Sequence, residues 1–147
     1  MKKLLLIAIL LCAQGLFAQE DTAIKQSIQT FFEGMHARDT VMMKSVCMKE
    51  FALHSIQLNV KGNQFSTEDV SLFYKGIASL PKSQVIEERL FNYTIQHDGG
   101  IAQVWTPYEF YFNNTLSHSG INAFTLVKVN GAWKISYIVD TRKTSGQ

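Results

Sequence analysis

Apolar and polar positions alternate in three consecutive runs between residues 101 and 139, the period-two pattern of strands that bury one face. The runs cover residues 101–112, 121–129 and 132–139. Asn130-Gly131 separates the last two and predicts a type I′ hairpin turn, because both central positions of that turn need φ > 0. The turn sets Val129 opposite Ala132, Leu126 opposite Ile135, Phe124 opposite Tyr137 and Asn122 opposite Val139. One face then carries Trp133, Leu126, Ile135, Phe124, Tyr137 and Val139, and the other Thr125, Ser136, Lys134 and Asp140. A three-residue loop at 113–115 pairs Val104 with Phe124, Thr106 with Asn122 and Phe110 with His118. A two-residue loop at Asn113-Asn114 would put the two core faces out of phase, so the longer loop is expected. Upstream, residues 85–96 form another strand, and an Asp98-Gly99 turn sets Ile95 beside Ala102 and Arg89 beside Tyr108. Residues 53–60 also alternate, with His54, Ile56, Leu58 and Val60 on one face.

The N-terminal half has helical spacing. Ile24, Ile28, Phe31, Phe32 and Met35 form one stripe between residues 21 and 38. A shorter helix capped by Asp39 or Thr40 runs to about Met48 and carries Cys47. Ser66-Thr67-Glu68-Asp69 opens a third, with Val70, Phe73, Tyr74 and Ile77 on one stripe and Pro81 at its end.

The inner sheet face is graded. Ile95, Ala102, Val104, Leu126, Trp133 and Ile135 lie toward one end; Arg89, Thr106, Tyr108, His118, Asn122, Tyr137 and Thr141 lie toward the other. An apolar floor with polar groups near its mouth is the usual build of a small-molecule pocket. The expected ligand is a small apolar or aromatic molecule with one polar end, held between the walls of Phe31, Phe32, Tyr108, Phe124, Tyr137 and Trp133.

Composition narrows the class. Lys2 and Lys3, an apolar run to Cys12 and Leu16-Phe17-Ala18 read as a secretory signal cleaved after Ala18. The expected mature protein, residues 19–147, is therefore a single periplasmic or secreted domain with no membrane attachment. It keeps one cysteine, Cys47, and so builds its core without disulfides. The chain's formal charge is +2, and losing the two leader lysines brings it near zero. No basic tract is present, which argues against a nucleic-acid partner.

Helices followed by a long antiparallel sheet ending in Asn-Gly-Ala-Trp-Lys-Ile resemble the nuclear transport factor 2-like superfamily. That is the cone-shaped α+β fold of ketosteroid isomerases, scytalone dehydratase and SnoaL-type polyketide cyclases. The run from Val104 to Tyr111, then His118-Ser119-Gly120 and Asp140-Thr141-Arg142, resembles exported bacterial members of unassigned function. The resemblance implies about three N-terminal helices on a strongly curved antiparallel sheet. Set against ketosteroid isomerases, the general base falls at His54, the oxyanion-holding Tyr at Phe31 and the protonated Asp at Asn122. Phe31 has no donor, so that isomerisation is not expected.

Three function classes follow. The first is binding in the cone, through Phe31, Phe32, Arg89, Thr106, Tyr108, His118, Asn122, Phe124 and Tyr137. The second is a cofactor-free lyase, isomerase or hydrolase with His54 as base and Tyr108 or Asn122 polarising a carbonyl. It requires His54 to point into the cavity. The third is a homodimer through the outer face, with Trp105, Pro107, Tyr111, Ile86, Leu90, Ile121 and Ile138 interrupted by Glu88, Glu109, Asp140 and Arg142. No cofactor or metal is expected, since only Glu87 on this register would join His54 and His118.

Overall fold

A computed structural model describes the backbone of residues 2–144 and the side chains of residues 18–144. The leader expected at residues 1–18 therefore lies almost wholly outside the described side chains. Among the described residues, no helix is long and apolar enough to cross a membrane.

The elements run α1 (Lys2–Ala37), α2 (Thr40–Ser45), β1 (Cys47–Gln57), β2 (Gln64–Glu68), α3 (Val70–Ser79), β3 (Ile86–Leu90), β4 (Thr94–His97), β5 (Ile101–Phe112), β6 (Thr115–Val129) and β7 (Ala132–Thr144). The sheet order is β2-β1-β7-β6-β5-β3, with β4 also paired to β5. Only β1 and β7 pair in parallel, so the sheet is mixed and mostly antiparallel.

The α1 stripe of Ile24, Ile28, Phe31, Phe32 and Met35 is buried throughout. The helix ends at Arg38, which takes a left-handed φ of 58°, and the Asp39 amide returns to the Gly34 carbonyl at 2.8 Å. Asp39 then caps α2 by accepting from the Val41 and Met42 amides, and Asp69 caps α3 in the same way from Ser71 and Leu72. Ser66, Thr67 and Glu68, expected to open α3 together with Asp69, belong instead to the edge strand β2. Cys47 is the first residue of β1 rather than part of a helix, and burial pushes its thiol up to about 11, away from reactivity. At the closed end of the cone, Glu20 accepts from the Trp133 indole at 2.7 Å and from Lys128 at 2.5 Å, tying α1 to the β6–β7 hairpin.

Register decides which side chains face inward. The Asn130-Gly131 turn forms with φ of 51° and 78°, and Val129–Ala132 and Leu126–Ile135 pair as expected. Beyond them β7 slips by one: Thr125 faces Tyr137, Phe124 faces Ile138 and Asn122 faces Asp140. Ser136 is the extra residue, a bulge whose hydroxyl donates to the Thr125 carbonyl at 3.0 Å. Ile138 and Asp140 therefore turn inward and are buried, while Tyr137 and Val139 turn out.

The join between β5 and β6 has the expected register by a different route. Asn113-Asn114 makes a two-residue turn with φ of 48° and 62°. A bulge at Ser117 then absorbs one residue and restores Phe110–His118, Thr106–Asn122 and Val104–Phe124.

The β4 side differs more. Asp98 accepts from the Gly100 and Ile101 amides, widening the turn so that Ile95 faces Val104 rather than Ala102. A break at residues 91–93 takes back one of those two positions and leaves β3 one residue off the expected register, so Leu90 faces Tyr108 and Glu88 faces Phe110. Glu88 enters the cone and Arg89 leaves it. On β1 the buried residues are Cys47, Phe51, Leu53 and Ser55, not the parity of His54 and Ile56.

Candidate functional site

A cavity of about 510 Å³ opens between α1, α3 and the inner sheet face. Phe31, Phe32 and Met35 line it from α1, Leu72, Phe73 and Ile77 from α3, and Phe110, Phe112 and Ile138 from the sheet. Phe31 and Phe73 stack at 6.3 Å, and Phe31 and Phe32 meet edge to face at 5.3 Å, so the apolar wall is largely aromatic.

Against that wall stands one polar end, built by four neighbouring strands. Register aligns Ser55 on β1 with Asp140 on β7, Asn122 on β6 and Thr106 on β5, and all four are buried. Buried polar groups persist when they have hydrogen-bond partners. Asp140 accepts from the Ser55 hydroxyl at 2.5 Å, the Tyr108 hydroxyl at 2.8 Å and Arg142 Nε at 2.8 Å. The Tyr108 hydroxyl also reaches the Thr141 carbonyl at 3.0 Å, where the β6–β7 ladder is open beside Gly120. Asn122 Nδ2 donates to Glu88 Oε1 at 2.6 Å. Next to Glu88, Phe110 stacks on His118 at 4.9 Å, continuing the row from β3 to β6.

The electrostatics of this end are set by burial. Glu88 is pushed up to about 8, mainly by burial; the Asn122 amide and Arg142 pull the other way, and the neighbouring Asp140 adds to the rise. A carboxyl in that range divides between its two forms near neutral pH and can give or take a proton. Burial, then the Asp140 and Glu88 carboxyls, raises Tyr108 and keeps it a phenol. Burial and then Arg142 lower His118, with Asp140 opposing, which favours the neutral imidazole.

Of the residues expected to form the site, Phe31, Phe32, Tyr108, His118 and Asn122 line the cavity together. Thr106 and Phe124 face inward but are sealed in the core beneath it. Three expectations are corrected. His54 lies on the outer face, bonded to Thr67 at 3.1 Å and packed on the rings of Phe65 and Tyr137 at 5.0 and 5.3 Å. The acid–base alternative built on His54 therefore loses its base. Tyr137 is turned out by the Ser136 bulge. Arg89 is turned out by the β3 shift, where it pairs with Glu87 at 2.8 Å and lies over Tyr111 at 4.0 Å.

Sequence reasoning missed Glu88, Asp140, Arg142 and Glu68, all of which line the cavity. It assigned the first three to the outer face. The one available signal was their cost: charged residues in the middle of long apolar strands need partners wherever they face. Among the described residues, no group of His, Cys, Asp and Glu is arranged to hold a metal ion.

No protein-family model matches the chain, and no curated protein matches it. Solved structures do. A putative scytalone dehydratase from Novosphingobium aromaticivorans superposes with a TM-score of 0.71 at 14% identity, covering 89% of each chain. A cystatin-like-fold protein of unknown function from Nostoc punctiforme gives 0.67 at 14% identity, covering 87% of this chain and 94% of that one. An NTF2-like protein of unknown function from Shewanella baltica gives 0.62 at 16% identity, covering 88% and 98%. At such identities the likeness establishes the fold, which is nuclear transport factor 2-like, and leaves function to the site.

Proposed function

We propose that this nuclear transport factor 2-like domain binds a small, largely apolar ring compound inside its cone, with the ligand's polar end at Glu88 and Asn122. The observation that carries the reading is the cavity of about 510 Å³, walled by aromatic rings and bounded at one end by a hydrogen-bonded polar cluster. Pockets for small molecules have this volume and this division of apolar wall and few polar groups. A core that needed only stability would close over such a space, because empty volume costs packing energy.

The test is titration with Nile red, a neutral flat dye, followed by its emission. The wild type should show saturable one-to-one binding with a blue shift. Ile77→Trp, which puts an indole into the cavity, should weaken binding at least tenfold while the fold stays intact by circular dichroism. Absence of saturable binding to the wild type, or equal binding by Ile77→Trp, would overturn the reading.

A second reading concerns assembly, and the outer face favours it. Register places His54, Val139, Ala123 and Trp105 in one row across four strands, with Ile56, Ile121 and Pro107 nearby. Trp105 is 55% exposed and Phe65 64%. The buried side chains of all three helices join the core on the opposite face. A second copy of the chain would cover this surface through a two-fold interface.

A further inference from the structure

We propose that the ligand is an organic cation, an apolar or aromatic body carrying a protonated amine, with the Glu88 carboxylate as its counter-ion. The inference rests on the binding reading above and adds the ligand's charge. It follows from how the polar end has used its hydrogen-bonding groups. Asn122 Nδ2 is spent on Glu88 Oε1, the Tyr108 hydroxyl on Asp140 and Thr141, the Ser55 hydroxyl on Asp140, and Arg142 Nε on Asp140. The Tyr108 and Ser55 hydroxyl protons are committed within the protein, and the Asn122 and Arg142 donors named here are aimed at carboxylates. Glu88 Oε2 accepts none of these bonds, so in its carboxylate form it is open to N–H groups that a ligand brings.

Charge points the same way. The carboxyls of Glu68, Glu88 and Asp140 line the cavity against the single guanidinium of Arg142. Arg142 sits 2.8 Å from Asp140, which leaves Glu88 without a cation of its own. Every element packed around Glu88 confirms that lack. From α1, His36 Nε2 accepts the Glu88 backbone amide at 2.8 Å, and burial disfavours its protonation. From β5 comes the phenol of Tyr108, and from β6 come Asn122 and a His118 held toward its neutral form. From β7 come the paired Asp140 and Arg142, while Glu87 and Arg89 on β3 itself pair with each other on the outer face. A buried charge is stable only when paired, and aromatic rings are the apolar surface that tolerates a cation best. Phe31, Phe73, Phe110 and Phe112 supply such rings around the cavity.

The balance of protons makes the idea measurable. With its carboxyl at about 8, Glu88 is mostly protonated at pH 7, so an amine that enters as the cation displaces that proton to solvent. The probes are three molecules of one shape: 2-(2-naphthyl)ethylamine, 2-(2-naphthyl)ethanol and 2-naphthylacetate. Calorimetric titrations in buffers of different ionisation enthalpy count protons. At pH 7.5 the amine should bind at least tenfold tighter than the alcohol, and the acetate weakest. At pH 7 nearly one proton should leave per amine bound. Lowering the pH from 7.5 to 5.5 should weaken the amine by on the order of fiftyfold, because the proton competes for Glu88 while an amine of pKa roughly 10 stays charged. Glu88→Gln should abolish both the proton release and the pH dependence.

Alcohol or acetate binding as tightly as the amine would overturn the cation proposal and leave the cavity reading standing. Amine binding without proton release, or a Glu88→Gln protein that still releases the proton, would also overturn it. If none of the three probes binds, the cation proposal falls, and the Nile red titration decides the cavity reading separately. The wild-type comparison decides the matter even where the variant fails to fold.

Discussion

At the scale of single residues, Glu88 and Gly120 carry the sharpest consequences. Glu88 has a folded-state value of about 8 against an ordinary 4.5, so between those two limits the unfolded chain holds fewer protons than the folded one. Stability is then full below about pH 4.5, declines as the pH rises toward 8, and is flat above. Glu88→Gln should remove that decline. Its Tm should exceed wild type by at least about 5 °C at pH 8 and match it near pH 4, measured by calorimetry. A variant equally shifted at both pH values would show that burial of Glu88 costs nothing. Gly120 is needed for space: a Cβ there would lie 1.7 Å from the Thr141 carbonyl oxygen and 3.1 Å from Tyr108 Cε1. The missing side chain lets the Tyr108 hydroxyl cross to Thr141 and Asp140. Gly120→Ala should force the two strands apart and cost more than about 3 kcal/mol, read from urea unfolding.

At the scale of elements, the bulge at Ser136 does more than any helix to create the site. With side-chain period two, one inserted residue exchanges the faces of everything beyond it. It sends Ile138 and Asp140 inward and Tyr137 and Val139 outward. Deleting Ser136 would restore the regular ladder and reverse all four. The expected result is a chain that no longer folds cooperatively, since Asp140 would leave the Ser55 and Tyr108 hydroxyls and Tyr108 would lose its carboxylate acceptor. The thermal transition measures this; a cooperative melt within a few degrees of wild type would show that β7 re-bulges elsewhere. The helices do simpler work, closing the cone with the Phe31, Phe32 and Ile77 faces.

At the scale of the whole molecule, the sheet is apolar on both faces, and only one of them is covered by helices. The inner face makes the core and the cavity. The outer row of His54, Val139, Ala123 and Trp105 spans four strands, a width suited to an isologous interface. Light scattering at micromolar concentration should give the mass of a dimer, and Trp105→Glu should give a monomer. A monomeric wild type would remove the prediction, and a dimeric mutant would place the interface elsewhere.

Periodicity and turn chemistry by themselves determined the helical stripe of α1, a cap for α2 at Asp39 or Thr40, the three long C-terminal strands and the Asn130-Gly131 hairpin. These are local properties, legible because each follows from spacing or from the φ a residue tolerates. The same logic reached Phe31, Phe32, Tyr108, His118 and Asn122. Two further things were settled only in three dimensions. Alternation cannot say which face is inner when both are apolar, so the pattern points His54 inward although Leu53 and Ser55 hold that side. Bulges at Ser136 and Ser117 and the break before β4 leave no pattern in the chain, because they answer to twist and pairing between strands distant in sequence. Glu88, Asp140 and Arg142 were assigned to the outer face for that reason alone, and the tertiary structure gathers them into the polar end of the cavity.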